Sequence, residues 1–425
     1  MYKKKMKMEN TRRNFLRSLG SILGGSLLLT DNVIAEILNH NVLNDPQKLA
    51  KTYLLKEKSS YLNHASIGTV PKLIHQAHIK YLEICESNPS MYVWGNIWKE
   101  VTENTRQLAS SLIHCNVDDL AITHNTTEGF NILAHGLKLS QNDEVLFSSL
   151  NHAGASMAWL GLSNIKGFQV RTFDFPTNKI SNLDEKAIVD IHISQIKTNT
   201  KVLIFPHIDN IIGLRHPMNK IANRAKQKGV EFVFVDGAQS VGMIPVSLSN
   251  SNIDAYSMSP HKWLQAPKGT GMFYVNERLR KQLPRMWYKT PAERHDGSAR
   301  KYEDYSTRAW PAVVALGDAI RYQNTLGEKK KYDYYKSLWV ETKKIVDNDK
   351  NLLWHSPNSW DLSSAIMSIE VLNKDAVELS KILESRYNIY LRPFSKPLNA
   401  LRVSPNMFNS VQEIERLLKI VTKQI

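Results

Sequence analysis

The chain has 425 residues, of which 42% are hydrophobic and 22% are charged. This composition is typical of a packed globular protein long enough for two domains, and it excludes a largely disordered chain. The formal net charge is +15, but residues 1–35 hold seven Lys or Arg against Glu9 and Asp31, so part of the excess is local. The other basic residues form no runs interleaved with aromatics, which argues against a nucleic-acid partner.

The N-terminal 35 residues have the order of regions found in an export signal. A basic run at Lys3–Lys7 precedes TRRNFLR at Thr11–Arg17, then an apolar stretch at Leu19–Leu29 and the small-residue end Val33–Ala35. This order resembles a twin-arginine signal, so we expect residues 1–35 to be a signal segment and the mature protein to be periplasmic. The alternative is a basic, disordered terminus followed by a short amphipathic helix. The apolar stretch is too short, and too rich in Gly and Ser, for a stable membrane span.

After residue 60 the hydrophobic patterns predict strands alternating with helices, which indicates a mostly parallel sheet. The helical patterns cover residues 73–113, Glu128–Leu137, Met218–Lys228, Trp310–Asn324 and Val411–Ile420. The predicted strands are a short one from Leu120, then Asp143–Ser148, Lys201–Pro206, Phe232–Val235, Ile253–Ser257, Met272–Val275, Ser364–Val371 and Ile389–Arg392.

Polar residues follow several of these strands, at the edge where open α/β sheets place their ligands. Thr126 and Thr127 begin a helix, where hydroxyls cap free amides and the same groups make an anion site. His152 lies just past another strand, and Asp209-Asn210 follows a third. Each of these residues alone is more often a turn or cap residue than a functional one.

The strongest candidates for functional residues are a carboxylate and a lysine. Asp236 lies at the end of one predicted strand, and Lys262 lies in a loop between two others. A lysine with a lowered pKa is suited to a Schiff base, and a carboxylate can pair with a pyridinium nitrogen. Pyridoxal 5′-phosphate (PLP) needs both groups. The sequence therefore predicts a PLP site between these strands.

The two cysteines, Cys85 and Cys115, have no metal-ligand spacing, and whether they pair is left open.

The array DGAQ, S-x-HKW and PKGxG, from Asp236 to Gly271, resembles the class V aminotransferase family of fold-type I PLP enzymes. This family includes cysteine desulfurases and isopenicillin N epimerase-like enzymes, and the resemblance runs from about Tyr61 to the C-terminus. It implies an α/β fold, with a mostly parallel large-domain sheet between helices and a smaller α+β C-terminal domain. We expect the large PLP-binding domain at residues 60–309 and the small domain at 36–59 and 310–425.

The resemblance also implies roles for single residues around PLP. Lys262 would form the Schiff base, with Asp236 on the pyridinium nitrogen and His152 stacked on the ring, where it can shuttle protons. Gln239 and Asn210 would contact the ring hydroxyl, with Asp209 as the register alternative to Asn210. The phosphate ligands would be Thr126, Thr127, Ser259 and His261. The family commonly has Gly where this chain has Asn125, a mild departure because Asn tolerates left-handed backbone angles.

Further residues are implied for the substrate and for a second subunit. Arg402 would clamp a substrate α-carboxylate, with Arg392 a competitor for this role, and Asn63 and Ala65 would line the substrate mouth. Ser306-Thr307 lies where the family has a Gly-Thr pair that reaches the phosphate of the neighbouring subunit's cofactor. Thr307 is therefore the expected phosphate ligand from the partner subunit of a homodimer.

The predicted function is that of an exported PLP enzyme acting on an amino acid or peptide-derived substrate. Cysteine desulfurases need a nucleophilic thiol in the C-terminal third, and no cysteine follows Cys115, so desulfuration is disfavoured. Aminotransfer, epimerisation, β-elimination and oxidative deamination remain open, since all begin at Lys262. The alternative hypothesis is a non-catalytic protein that keeps the PLP fold for binding.

Overall fold

The computed structural model describes residues 31–90, 96–289, 291 and 295–425. The predicted twin-arginine motif and most of the predicted signal segment lie outside these residues. The helices are α1 (Asp31–Ile37), α2 (His40–Leu43), α3 (Pro46–Ala50), α4 (Lys72–Ser87), α5 (Asn96–Leu112), α6 (Thr126–Gly136), α7 (Ala153–Lys166), α8 (Glu185–Ser194), α9 (Met218–Gln227), α10 (Glu277–Gln282), α11 (Trp310–Leu326), α12 (Glu328–Asp347), α13 (Ala376–Tyr387) and α14 (Val411–Lys423). The strands are β1 (Ser60–Tyr61), β2 (Leu120–Thr123), β3 (Glu144–Ser148), β4 (Gln169–Phe173), β5 (Thr200–Pro206), β6 (Phe232–Asp236), β7 (Ala255–Met258), β8 (Gly271–Val275), β9 (Leu352–Trp354), β10 (Met367–Val371), β11 (Ile389–Tyr390), β12 (Arg392–Phe394) and β13 (Ala400–Val403).

Seven strands form the main sheet in the order β2-β8-β7-β6-β5-β3-β4. Strands β4, β3, β5, β6 and β7 pair in parallel, and β8 pairs antiparallel to both β7 and β2. Apart from β4, every residue of these strands except Lys201 is buried, as expected for a sheet covered on both faces. The predicted mostly parallel α/β sheet is thereby confirmed.

Two hydrophobic cores lie on the two faces of this sheet, because side chains alternate along each strand. Phe232 and Phe234 belong to one core, which includes residues of α6, α7 and α10. Val233 and Val235 belong to the other, which extends without a break into the C-terminal part of the chain. The main sheet and the C-terminal elements are therefore joined by continuous apolar packing.

The C-terminal part contains an antiparallel sheet in the order β12-β13-β10-β9, as expected for an α+β domain. The strand predicted at Ile389–Arg392 is divided in two. Ile389 pairs in parallel with Ser60 of β1, whereas Arg392 pairs with Arg402 of β13. A short strand just after residue 59 is thus tied to the small domain.

Helix α1 covers residues 31–37, so it overlaps the end of the predicted signal segment. Its Ile34 is fully buried, and the helix packs against α11. Asp31 lies 3.9 Å from Arg321 of α11. In the described part of the chain, no helix combines the length and the apolar character needed to cross a membrane.

Helix α6 begins two residues earlier than predicted, and its cap is Asn125 rather than a threonine. The Asn125 side chain accepts the amide of Glu128 at 2.9 Å. Asparagine is among the preferred N-cap residues because its oxygen accepts an otherwise free amide. Consequently Thr126 and Thr127 lie in the first turn of the helix.

Gly213 lies where the loop after β5 meets the small domain. Its φ is +70°, and a Cβ atom there would come within 2.0 Å of the Ile366 carbonyl oxygen. The backbone can approach this closely only because glycine has no side chain.

We therefore expect Gly213→Ala to lower the free energy of unfolding by about 2 to 4 kcal/mol, through overpacking and the left-handed backbone. Urea denaturation followed by circular dichroism measures this change. Gly161→Ala is the matched control, because Gly161 lies in α7 and no atom lies within 4 Å of its added Cβ. That variant should be neutral or slightly more stable, and equal losses in both would contradict the argument.

Candidate active site

The predicted functional side chains meet at the carboxyl edge of the main sheet. Asn125, His152 and Asp209 follow β2, β3 and β5, and Asp236 is the last residue of β6. Because these strands run in the same direction, their carboxyl ends share one edge. The topology therefore collects residues that are more than 100 positions apart in sequence.

Lys262 lies in the loop between β7 and β8, and the segment Asn63–Gly68 holds that loop in place. The Gly68 amide donates to the His261 carbonyl at 3.0 Å, and the His64 ring donates from Nε2 to the Lys262 carbonyl at 3.1 Å. A Cβ atom on Gly68 would lie 2.1 Å from the Lys262 carbonyl oxygen. The lysine backbone is thus fixed by direct contact with a distant segment.

The environment of Lys262 favours its neutral amine. Burial is the main cause, and Arg402 and Arg392 add repulsion, so the pKa falls to about 8 although Asp236 opposes the shift. Burial also raises the pKa of the Asp236 carboxyl, while the Ala238 amide, Lys262 and His152 act in the other direction. The Ala238 amide donates to Asp236 Oδ1 at 2.9 Å, which fixes the orientation of the carboxylate.

A hydroxyl cluster lies at the start of α6. Thr126 Oγ1 lies 2.8 Å from Ser259 Oγ, and that oxygen also accepts the Thr126 amide at 3.2 Å. The Thr127 side chain is exposed at the same helix end. His261 Nδ1 is buried without a hydrogen-bond partner, and burial lowers the pKa of its ring to about 4. Hydroxyls and backbone amides at a helix N-terminus are suited to a phosphate.

His152 is the N-cap of α7 and lies at the exposed side of the site. Its Nδ1 accepts the Gly154 amide at 3.0 Å, so the proton of the neutral ring is on Nε2. Burial of part of the ring lowers its pKa, and Asp236 opposes this shift. The ring is therefore neutral at physiological pH, with an N–H available on Nε2.

Asp209 and Asn210, the two candidates for a contact with the ring hydroxyl, differ in how far their side chains are already hydrogen-bonded within the protein. The Asp209 carboxylate accepts three backbone amides, those of Ile211, Ile212 and Leu214, at 2.6 to 2.8 Å. Asp209 is thus occupied in shaping its own turn, although burial raises its pKa to about 6. Asn210 is half-buried and uses its backbone carbonyl to accept Arg402, so its side chain is the better candidate for a ligand contact.

Gln239 is more strongly engaged within the protein than the sequence indicates. Its Nε2 donates to the Ala65 carbonyl at 2.9 Å, and its Oε1 accepts the Trp263 indole at 2.8 Å. One hydrogen on Nε2 remains for a ring hydroxyl. The Ala65 amide donates to Ser404 Oγ at 3.1 Å, so it is already engaged within the protein.

Arg402 is a buried cation on β13. The residue is 1% exposed, and its guanidinium donates to the Asn210 carbonyl at 2.7 Å, to Asn63 Oδ1 at 3.0 Å and to Ser66 Oγ at 2.5 Å. Its Nε has no hydrogen-bond partner. Among the residues that the structure describes, no carboxylate lies within ion-pair distance of this guanidinium. Burial and the nearby Arg392 lower the Arg402 pKa to about 9.

Ser306 and Thr307 are exposed and lie outside this cluster of side chains. Ser306 has a φ of +93°, a backbone conformation that favours glycine. A glycine would adopt this backbone without strain, and the role of Thr307 as a phosphate ligand of the partner subunit stays a prediction.

Four residues of the site escaped the sequence analysis: His64, Ser66, Ser404 and Gln265. Gln265 has a φ of +59°, donates its amide to the Lys262 carbonyl at 3.2 Å and accepts the Tyr53 hydroxyl at 2.9 Å. Each acts by contacts between segments that are far apart in the chain. No local pattern could have revealed them. Among the described residues there is no group of three or more His, Cys, Asp or Glu placed to hold a metal ion.

Comparisons with known proteins identify a family and several relatives that are similar to this chain. The model of the family "Aminotransferase class-V" matches residues 60–417. A probable cysteine desulfurase of Pyrococcus abyssi is 22% identical over 89% of this chain and 98% of its own. Isopenicillin N epimerase of Amycolatopsis lactamdurans is 26% identical over 73% of this chain and 82% of its own.

Solved structures show the same fold. The apo cysteine desulfurase of Thermococcus onnurineus NA1 superposes with a TM-score of 0.75, at 20% identity over 88% of this chain and 97% of that one. The cystine C–S lyase C-DES, in complex with cysteine persulfide, gives a TM-score of 0.78 at 21% identity over 86% of this chain and 98% of its own.

PLP is the cofactor of this family, and the donor set of the site fits it. Lys262 supplies an amine with a lowered pKa and Asp236 a buried carboxylate. The start of α6, Ser259 and the unpartnered Nδ1 of His261 supply groups suited to a phosphate. The fold, the site and the match over residues 60–417 together show that this chain belongs to the class V aminotransferase family of PLP-dependent enzymes.

Proposed function

We propose that this protein is an exported PLP-dependent enzyme that acts on the α-carbon of an amino acid or an amino-acid-derived, peptidic substrate. The observation that carries the proposal is the pair formed by Lys262 and Arg402. One is an amine whose pKa is lowered to about 8, and the other is a buried guanidinium with no carboxylate partner among the described residues. A nucleophilic amine in the same site as an arginine without a carboxylate partner is suited to an α-amino acid.

Arg402 binds and orients the substrate in this proposal. Three of its five guanidinium hydrogens are donated to Asn210, Asn63 and Ser66, so the Nε hydrogen and the second Nη1 hydrogen are left to bind a carboxylate. Asn63 and Ser66 hold the guanidinium from one side and the Asn210 carbonyl from another. A substrate carboxylate would also neutralise a buried charge, so its binding is favoured by electrostatics.

The cofactor supplies the electron sink that stabilises negative charge at the substrate α-carbon. Lys262 is the group that accepts the α-proton, because its amine is partly neutral near pH 8. Asp236 places a carboxyl group, oriented by the Ala238 amide, in the interior of the site, and His152 offers an N–H at the exposed side. The site thus combines a basic amine at Lys262, a buried carboxyl group at Asp236 and an exposed N–H at His152.

The absence of a suitable thiol favours aminotransfer, epimerisation or elimination over desulfuration, although relatives include cysteine desulfurases. Cys85 is buried in α4, and Cys115 precedes β2, at the sheet edge opposite the site. Burial raises the Cys115 pKa to about 12. Neither sulfur is placed to accept sulfur from a substrate bound at Lys262.

Export by the twin-arginine route and a homodimeric active unit remain part of the proposal. Export is supported by the order of regions in residues 1–35, and this route carries folded proteins, so the cofactor is acquired in the cytoplasm. The dimer is supported by the exposed Ser306-Thr307 pair with its glycine-like backbone. Cell fractionation and sedimentation measure the two features independently.

Purified protein should show a visible absorption band near about 410 to 430 nm that borohydride removes, and Lys262→Ala should not show it. Mass spectrometry should then find the reduced cofactor on the peptide that contains Lys262. Lys281→Ala is the control, since this exposed lysine of α10 pairs with Glu277 and not with any residue of the site, and it should keep the band. A colourless protein that PLP cannot reconstitute would contradict the proposal, and stable colour without any response to amino acids would favour a binding protein.

The rate at which apoprotein takes up PLP should rise about tenfold per pH unit below pH 8 and level off above it. The reason is that only the neutral amine reacts, and the Lys262 pKa is lowered to about 8. Arg402→Gln removes a repulsive charge, so its rate should level off at a higher pH. Stopped-flow absorbance measures these profiles. A wild-type rate that still rises steeply at pH 9.5 would mean that the lysine has an ordinary pKa.

Treatment of the folded holoenzyme with iodoacetamide should leave its turnover of amino acids unchanged. Cys85 is buried, and the raised pKa of Cys115 keeps its thiol protonated and unreactive. A cysteine desulfurase treated in parallel is the positive control and should lose its desulfuration of cysteine. Loss of activity in proportion to alkylation of Cys115 would overturn the exclusion of thiol chemistry.

A further inference from the structure

Two arginines face each other beside the site. In the antiparallel pair of β12 and β13, Arg392 lies directly opposite Arg402. Side chains of directly opposed residues project from the same face of a sheet, and like charges in this arrangement repel each other. Such a pair is stable only where an anion or solvent compensates the charge.

Phe394 brings the two guanidinium groups to one place. It lies two residues after Arg392 on the same strand, and hence on the same face. The guanidinium carbon of Arg392 lies 5.5 Å from the ring centroid of Phe394, and that of Arg402 lies 5.8 Å from it. Both guanidinium groups thus make cation–π contacts with the same ring.

The two arginines differ in depth. Arg402 is buried, whereas Arg392 is exposed. Both lower the pKa of Lys262, after burial as the main cause, and both lower the pKa of His152. The positive charge therefore extends from the interior of the site to its mouth.

Neither guanidinium is neutralised within the described part of the chain. No carboxylate there forms an ion pair with Arg392 or Arg402. Asp209 acts on Arg402 at longer range, but its oxygens already accept three backbone amides. Both cations are thus available to an anion from outside the chain.

We propose that the substrate carries a second carboxylate, which Arg392 binds while Arg402 binds the α-carboxylate. Arg402, the buried arginine, binds the α-carboxylate, which must lie near Lys262. Arg392, the exposed arginine, binds the distal carboxylate and so selects for substrates that have one. Arg392 is thereby a specificity-determining residue, and the substrate class is the acidic α-amino acids or amino acids with a distal carboxylate. This inference rests on the proposed function.

The test titrates the holoenzyme with L-glutamate and with its neutral analogue L-glutamine, following the visible absorption of the cofactor. L-aspartate and L-asparagine form a second pair. We expect wild-type protein to bind each acid about 10- to 100-fold more tightly than the amide, the range for one charge-assisted contact. Arg392→Gln should lose this preference, so that its affinities for the acid and the amide become equal within about twofold.

Arg386→Gln is the matched control, because Arg386 is an exposed arginine on the neighbouring helix α13. It removes the same charge and should keep the preference for the acid. Equal affinities of wild-type protein for acid and amide would overturn the inference alone. A loss of affinity in Arg392→Gln that is equal for the acid and the amide would also overturn it. A coloured holoenzyme that responds to no amino acid would instead overturn the proposed function.

Discussion

The contact between the segment Asn63–Gly68 and the lysine loop is the constraint on which the site depends. Gly68 and His64 bind the backbone of His261 and Lys262, while Asn63 and Ser66 bind the guanidinium of Arg402. One short segment thus connects the main sheet to the small domain. Because these contacts exclude water, they also help to lower the pKa of Lys262.

Burial of the ionisable side chains shifts their pKa values, and these shifts determine what the site can do chemically. Burial shifts the pKa of Lys262 down and that of Asp236 up, which brings a base and an acid towards neutral pH. The same burial costs free energy at Arg402, whose charge has no carboxylate partner in the described part of the chain. A site that carries such a cost before it binds is prepared for an anion, and binding a carboxylate recovers part of the free energy.

The family match leaves the reaction type open, and the residues at the site limit it. Relatives of similar identity have names as different as cysteine desulfurase, isopenicillin N epimerase and hercynylcysteine sulfoxide lyase. Similarity to these proteins therefore does not by itself fix the reaction of this chain. In this chain, the absence of a thiol near Lys262 and the presence of Arg392 opposite Arg402 are the features that separate the possibilities.

The sequence by itself determined the alternation of strands and helices, because buried parallel strands are nearly continuous apolar runs. It also determined the positions of Lys262 and Asp236, since both follow strands that are recognisable locally. Only the tertiary structure showed that Asp209 is used within its own turn and that Gln239 bonds Trp263 and Ala65. It alone showed the roles of His64 and Gln265, and the position of Arg392 opposite Arg402. These properties depend on contacts between residues far apart in the chain, and local sequence patterns carry no information about such contacts.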